Sequence, residues 1–168
     1  MTDNDAPDYT RWQASQAGAW AMQVKRTCIR LRERTQALEE LTALYDGLRA
    51  MRYDKDGGAG THDPDSALVE AVTRLDSMRA EYAESVAEWR DEVSVFEHAL
   101  RLIDGRYDAI LMARYVRLKT WREIAQAMHY DESYCSSVLH IDALAALFVV
   151  MPSSMKTPLP DALGDDNE

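Results

Sequence analysis

The nine residues RYVRLKTWR, Arg114 to Arg122, hold four cations and no acid. Lys and Arg at this density grip phosphate oxygens, the first as a point charge and the second as a planar fork. Arg114, Arg117, Lys119 and Arg122 are therefore candidate phosphate contacts. Four such contacts set a log–log salt slope of about −4 at most, at roughly −0.9 each. The whole chain opposes them: 29 Asp+Glu against 19 Lys+Arg leave a formal charge of −10. That balance excludes blanket attraction to nucleic acid or to an anionic membrane, but permits a local basic surface.

Other chemistries find little support. Cys135 and His140 have the types of a nucleophile and its base, yet a helical spacing of five puts them on different faces. The four His and two Cys form no C-x2-C or H-x3–5-H pair, so no zinc site is expected. DGGAG (56–60) lacks the glycine and lysine spacing of phosphate loops and follows a helical pattern instead of a strand. No catalytic residue, metal or cofactor is expected. Cys28 and Cys135 suggest reduced thiols, and the acidic start MTDNDAPD is unlike a secretory signal. The longest apolar run, ALAALFVVM (143–151), is about half of what a membrane helix needs. These features point to the cytoplasm, with no membrane partner.

The cations must be positioned by the elements around them. Thr120 and Glu123 form a T-x-x-E capping box, which starts a helix at Trp121. Ile124 and Met128 share a face of it, and Ala125 is small enough for a second helix to cross closely. The chain turns at His129–Tyr130, and Asp131 is a good N-cap for that second helix. Cys135, Val138 and Leu139 are expected to point back to a core. This pattern predicts a helix-turn-helix. His129 stands where glycine is common, and holding it at positive φ costs on the order of 1 kcal/mol.

Upstream, Trp20, Val24, Leu31, Leu38, Leu41, Tyr45 and Leu48 recur at helical intervals along a stretch almost free of Gly and Pro. A second stripe runs through Val72, Leu75, Tyr82, Val86, Trp89, Val93, Phe96, Leu100 and Ile103, with Arg79 its one polar member. Asp65 or Ser66 is expected to cap this helix and Gly105 to end it. Folded about the loop 54–65, the two helices form an antiparallel hairpin over 9–104. Arg30 then falls near Glu88 and Arg34 near Glu84. A shorter helix over 106–119 offers Ile110, Leu111, Ala113 and Tyr115 for burial. The predicted fold is all-α: a long two-helix, coiled-coil-like hairpin followed by a trihelical helix-turn-helix module over 105–151. An acidic, Pro-containing tail, 152–168, is expected to be disordered. So long a two-helix stripe leaves apolar surface uncovered, which predicts a homo-oligomer.

Arg106, Ile110, Arg114-Tyr115, Thr120-Trp121-Arg122-Glu123-Ile124-Ala125, Met128 and Tyr130, placed after a helical hairpin, carry a resemblance. The chain resembles the phage late-gene regulators of the RinA/ArpU type, whose C-terminal module looks like sigma-factor region 4. Close matching covers about 105–147, and the hairpin matches in layout alone. The resemblance implies a transcriptional regulator that binds double-stranded DNA and contacts RNA polymerase. It implies that Ser133, Tyr134, Ser136, Ser137 and His140 face the major groove, where hydroxyls meet base edges and Tyr134 can pack on a thymine methyl. Family members carry Arg or Lys on this helix, whereas here there is none. The competing reading is an oligomeric adaptor or scaffold that keeps the fold and binds protein. It gains if Arg114, Arg117 and Arg122 are all tied to Glu123, Asp131 or Glu132.

Overall fold

The computed structural model describes residues 9–54 and 64–157, all in helices, turns or short connections, with no strand among them. The first two helices are α1 (Tyr9–Asp54) and α2 (Pro64–Leu100). They contribute to both of the chain's compact units: one spans Arg26–Glu92, and the other takes the residues up to Lys25 and from Val93 onward. The units do not divide at residue 105, where the sequence places the module boundary.

In the 26–92 unit, α1 and α2 run antiparallel, since partner numbers fall along α2 as they rise along α1. Thr27 Oγ1 donates to Glu92 Oε2 at 2.5 Å, and Arg30 Nη1 reaches both carboxylate oxygens of Glu88 at 2.8 Å. The expected Arg30–Glu88 pair is present. Arg34 differs from expectation: its guanidinium donates to the Glu81 carbonyl at 2.8 Å and to the Ser85 hydroxyl, not to Glu84. Ser85 is small and buried, so the guanidinium can lie across the α2 backbone at that level. Leu41, Ala71 and Leu75 are buried in the seam, while Leu31, Leu38, Tyr45, Tyr82 and Val86 are half-buried. Val72, expected on the stripe, is exposed.

The other unit has a deeper core. Phe96, Leu100, Ile110, Leu111, Cys135 and Leu147 are fully buried, with Val24 of α1 among them. Aromatic rings pack edge to face through it, Trp20 on Phe96 at 5.2 Å and Phe96 on Tyr115 at 6.5 Å. Such pairs add about 0.5–1.5 kcal/mol each beyond their buried area. Helix α2 ends at Leu100, earlier than expected, and Gly105 opens the next helix instead of ending this one. Asp104 is the reason: its carboxylate accepts from Arg106 N at 2.9 Å and caps α3 (Gly105–Leu111).

Helix α3 continues into a π-helical stretch, Met112–Val116, closed by Arg117 N on Met112 O at 3.0 Å. After Leu118, which sits at φ 58°, come α4 (Trp121–Met128), α5 (Glu132–Tyr134), a second π-helical stretch (Cys135–Leu139) and α6 (His140–Val150). The last three form one continuous rod, Glu132–Val150, which is long and apolar enough to cross a membrane by length and composition. One face of it, Cys135, Leu139, Ala143, Leu144 and Leu147, is buried in this unit.

Residues 153–157 are more ordered than their composition suggests. Ser153–Met155 makes a 3-10 turn, Lys156 Nζ donates to Val149 O at 3.2 Å and stands 4.8 Å over the Phe148 ring, and Thr157 N donates to Gln16 Oε1 at 3.3 Å. The rest of the expected disordered tail, and most of the 54–65 loop, lie outside the described residues.

Candidate nucleic-acid interface

Two caps and one left-handed residue set the geometry between α4 and the rod. Thr120 Oγ1 accepts from Glu123 N at 3.3 Å, and Glu123 Oε2 accepts from Thr120 N at 2.8 Å, completing the capping box. The Thr120 backbone N–H, then Lys119 at 2.9 Å, hold the Glu123 carboxyl down to about 2. Helix α4 closes on His129 at φ 57°, with Tyr130 N on Ala125 O at 3.0 Å in the Schellman pattern. Asp131 then caps the rod, its Oδ1 accepting from Ser133 N at 2.8 Å and from Tyr134 N at 3.3 Å. Ile124 and Ala125 are buried where the rod packs against α4.

Ser133, Tyr134 and Ser137 are exposed on the rod, and Ser136 is half-buried. His140 does not join them. Its Nε2 lies 2.8 Å from the Tyr115 hydroxyl and its ring meets Trp121 edge to face at 4.8 Å. Burial, followed by the charge of Arg114, pushes its pKa down to about 4, so the ring is neutral at pH 7. The expectation that His140 faces outward is corrected. Val138, expected in the core, is exposed, whereas Leu139 is buried as expected. The physical cause is the π-helical stretch: its wider turn carries residue 138 away from the face of Cys135 and brings 139 beneath it.

The basic cluster divides in two. Arg114 Nη1 donates to Lys119 O at 3.0 Å and the guanidinium covers Trp121 at 4.7 Å, so this side chain braces the turn before α4. Lys119 Nζ is paired with Glu123 Oε1 at 2.9 Å. Arg117 and Arg122 are exposed and make no ion pair among the described residues. Arg117 also lines a groove along α4 with Ala113, Lys119, Ile124 and Ala127.

Sequence reasoning did not single out Tyr130 as a surface group. Its ring lies 5.5 Å from that of Tyr134, tilted by 55°. The i, i+4 spacing of Tyr130 and Tyr134 was the available signal, masked by the turn between them. No group of three or more metal-ligating side chains occurs among the described residues. No protein-family model, curated protein or solved structure matches this chain.

Proposed function

We propose that this protein is a transcriptional regulator that binds double-stranded DNA through the Glu132–Val150 rod and acts with RNA polymerase, as its resemblance to phage late-gene regulators implies. One observation carries the reading: Ser133, Tyr134 and Ser137 face outward on a capped helix that follows a tight turn from α4, and Arg117 and Arg122, which make no ion pair among the described residues, belong to the same module. The charge distribution removes the objection raised by the net charge. Residues 105–157 carry six Lys+Arg against five Asp+Glu, whereas 158–168 hold four acids and no base.

Two unpaired cations give a weak electrostatic grip, with a salt slope of about −2. A second copy on a second half-site would supply the missing affinity, and exposed Leu44, Met51 and Val69 offer apolar surface for self-association. The adaptor reading would need Arg114, Arg117 and Arg122 all tied to Glu123, Asp131 or Glu132, and Arg114 instead donates to the Lys119 carbonyl.

Titration of duplex DNA at several salt concentrations decides between them. Arg117→Ala and Arg122→Ala should each weaken binding on all sequences and reduce the salt slope by about 1. Sedimentation of the same samples should give a mass above one chain. Unchanged affinity in both variants overturns the DNA reading and leaves the adaptor.

A further inference from the structure

We infer that the rod selects A·T base pairs by their thymine methyl groups, with Tyr134 and Val138 as the apolar contacts and Ser137 as a hydrogen-bond acceptor. This rests on the DNA-binding reading above and names what the same face recognises.

The first observation is what the face lacks. From Glu132 to Val150 there is no Lys or Arg, so the forked contact to guanine O6 and N7 is missing. The second is where the serine protons go. Ser137 Oγ donates to Ser133 O at 2.5 Å and Ser136 Oγ donates to the same carbonyl at 3.2 Å. With their hydrogens turned back to the helix, both oxygens offer only lone pairs outward. Guanine presents two acceptors at this edge and finds no partner in them, whereas adenine N6 and cytosine N4 each present an amino group, so these oxygens read an amino group and the choice of A·T over G·C falls to the methyl.

The third observation is apolar. Tyr134 and Val138 are one helical turn apart and 41% and 45% exposed. The π-helical stretch is what turns Val138 outward, so the backbone itself builds this strip. The thymine C5-methyl is the apolar feature of the major-groove edge, and adenine pairs with it, so an acceptor beside an apolar strip matches one A·T pair. Tyr134 is also held ready. Tyr130 packs against it, the two rings 5.5 Å apart. A side chain fixed before binding loses less freedom on contact. The Ser133 hydroxyl, near the start of the rod, has no hydrogen bond among the described residues and can serve either kind of partner.

The test is selection from a random duplex pool, followed by replacement of each selected thymine with deoxyuridine, which removes the methyl and leaves the base pairing intact. The selected core should be rich in A·T pairs. Each methyl that meets Tyr134 or Val138 should be worth about fourfold in affinity, the effect of burying one such carbon. Val138→Ala, an exposed change that spares the fold, should lose most of its response to deoxyuridine at one position while keeping its dependence on Arg117 and Arg122. Equal binding of thymine and deoxyuridine duplexes, or a G·C-rich selected core still held by Arg117 and Arg122, overturns the inference and leaves DNA binding standing. Binding of no duplex at all overturns both.

Discussion

The 26–92 hairpin and the unit that carries the helix-turn-helix are both helical, but they are held together by different means. In the hairpin the apolar seam is one side chain deep. Leu31, Leu38, Tyr45, Tyr82 and Val86 keep part of their surface in water, and polar bonds from Thr27, Arg30 and Arg34 fix how α1 and α2 meet. In the other unit Phe96, Leu100, Ile110, Leu111 and Leu147 have lost all contact with water. There the backbone accepts two π-helical stretches and two non-glycine residues at positive φ, Leu118 and His129. A thin seam tolerates regular helices alone, whereas a deep core can stabilise irregular backbone. The irregular places are the ones that orient the proposed binding face.

The largest predicted effect separates the two directly. Leu111→Ala removes a fully buried side chain and should cost about 2–5 kcal/mol, as core truncations that leave a cavity do. Leu38→Ala, half-buried in the seam, should cost about 1 kcal/mol, because less of its area leaves water on folding. Urea unfolding midpoints measure both. Similar losses would mean that the seam is as important to stability as the core, and the contrast would fail.

The same contrast explains what the residues revealed in advance. The hairpin was legible because its stability lies in periodicity and charge, and both are written along the chain as three- and four-residue steps. The local stops were legible too: Thr120 with Glu123, Asp131 as a cap, and His129 in a left-handed turn each follow from the chemistry of a few neighbours. The π-helical stretches were not. Nothing in MARYV or CSSVL announces an i to i+5 bond, since the choice is made by packing against distant side chains. One such stretch turned Val138 outward while Leu139 stayed in the core, and His140, at its end, turns inward to Tyr115 and Trp121. Arg114 escaped notice as a brace for a similar reason: its partner is the Lys119 carbonyl, and the folded turn creates that proximity.

A pH series sharpens the comparison at a smaller scale. Burial holds the His140 pKa down to about 4, against an ordinary value of 6.5. The unfolded chain therefore binds a proton at a pH where the folded chain does not. The stabilising contribution is intact above about pH 6.5 and is lost progressively as pH falls toward 4. His140→Gln, which keeps a hydrogen-bonding group beside Tyr115 but does not titrate, should flatten that part of the stability profile. Identical slopes for the two proteins between these pH values would show that His140 is not held neutral in the folded state.

The smallest effect is expected at Arg30 and Glu88. Both side chains are nearly half exposed, at 48% and 43%, so water screens the pair and its attraction adds little to stability. Arg30→Glu should shift the unfolding midpoint less than Leu38→Ala does, and the double reversal with Glu88→Arg should return it toward the starting value. The coupling within this cycle should shrink between low and high salt, as for any pair exposed to mobile ions. What the pair supplies is register, because it matches one level of α1 to one level of α2, and a shifted hairpin would place Arg30 opposite a different side chain. If Arg30→Glu instead proved as damaging as Leu111→Ala, the hairpin would be a charge-held element with the seam as its filler, and the distinction between a shallow seam and a deep core would have to be abandoned.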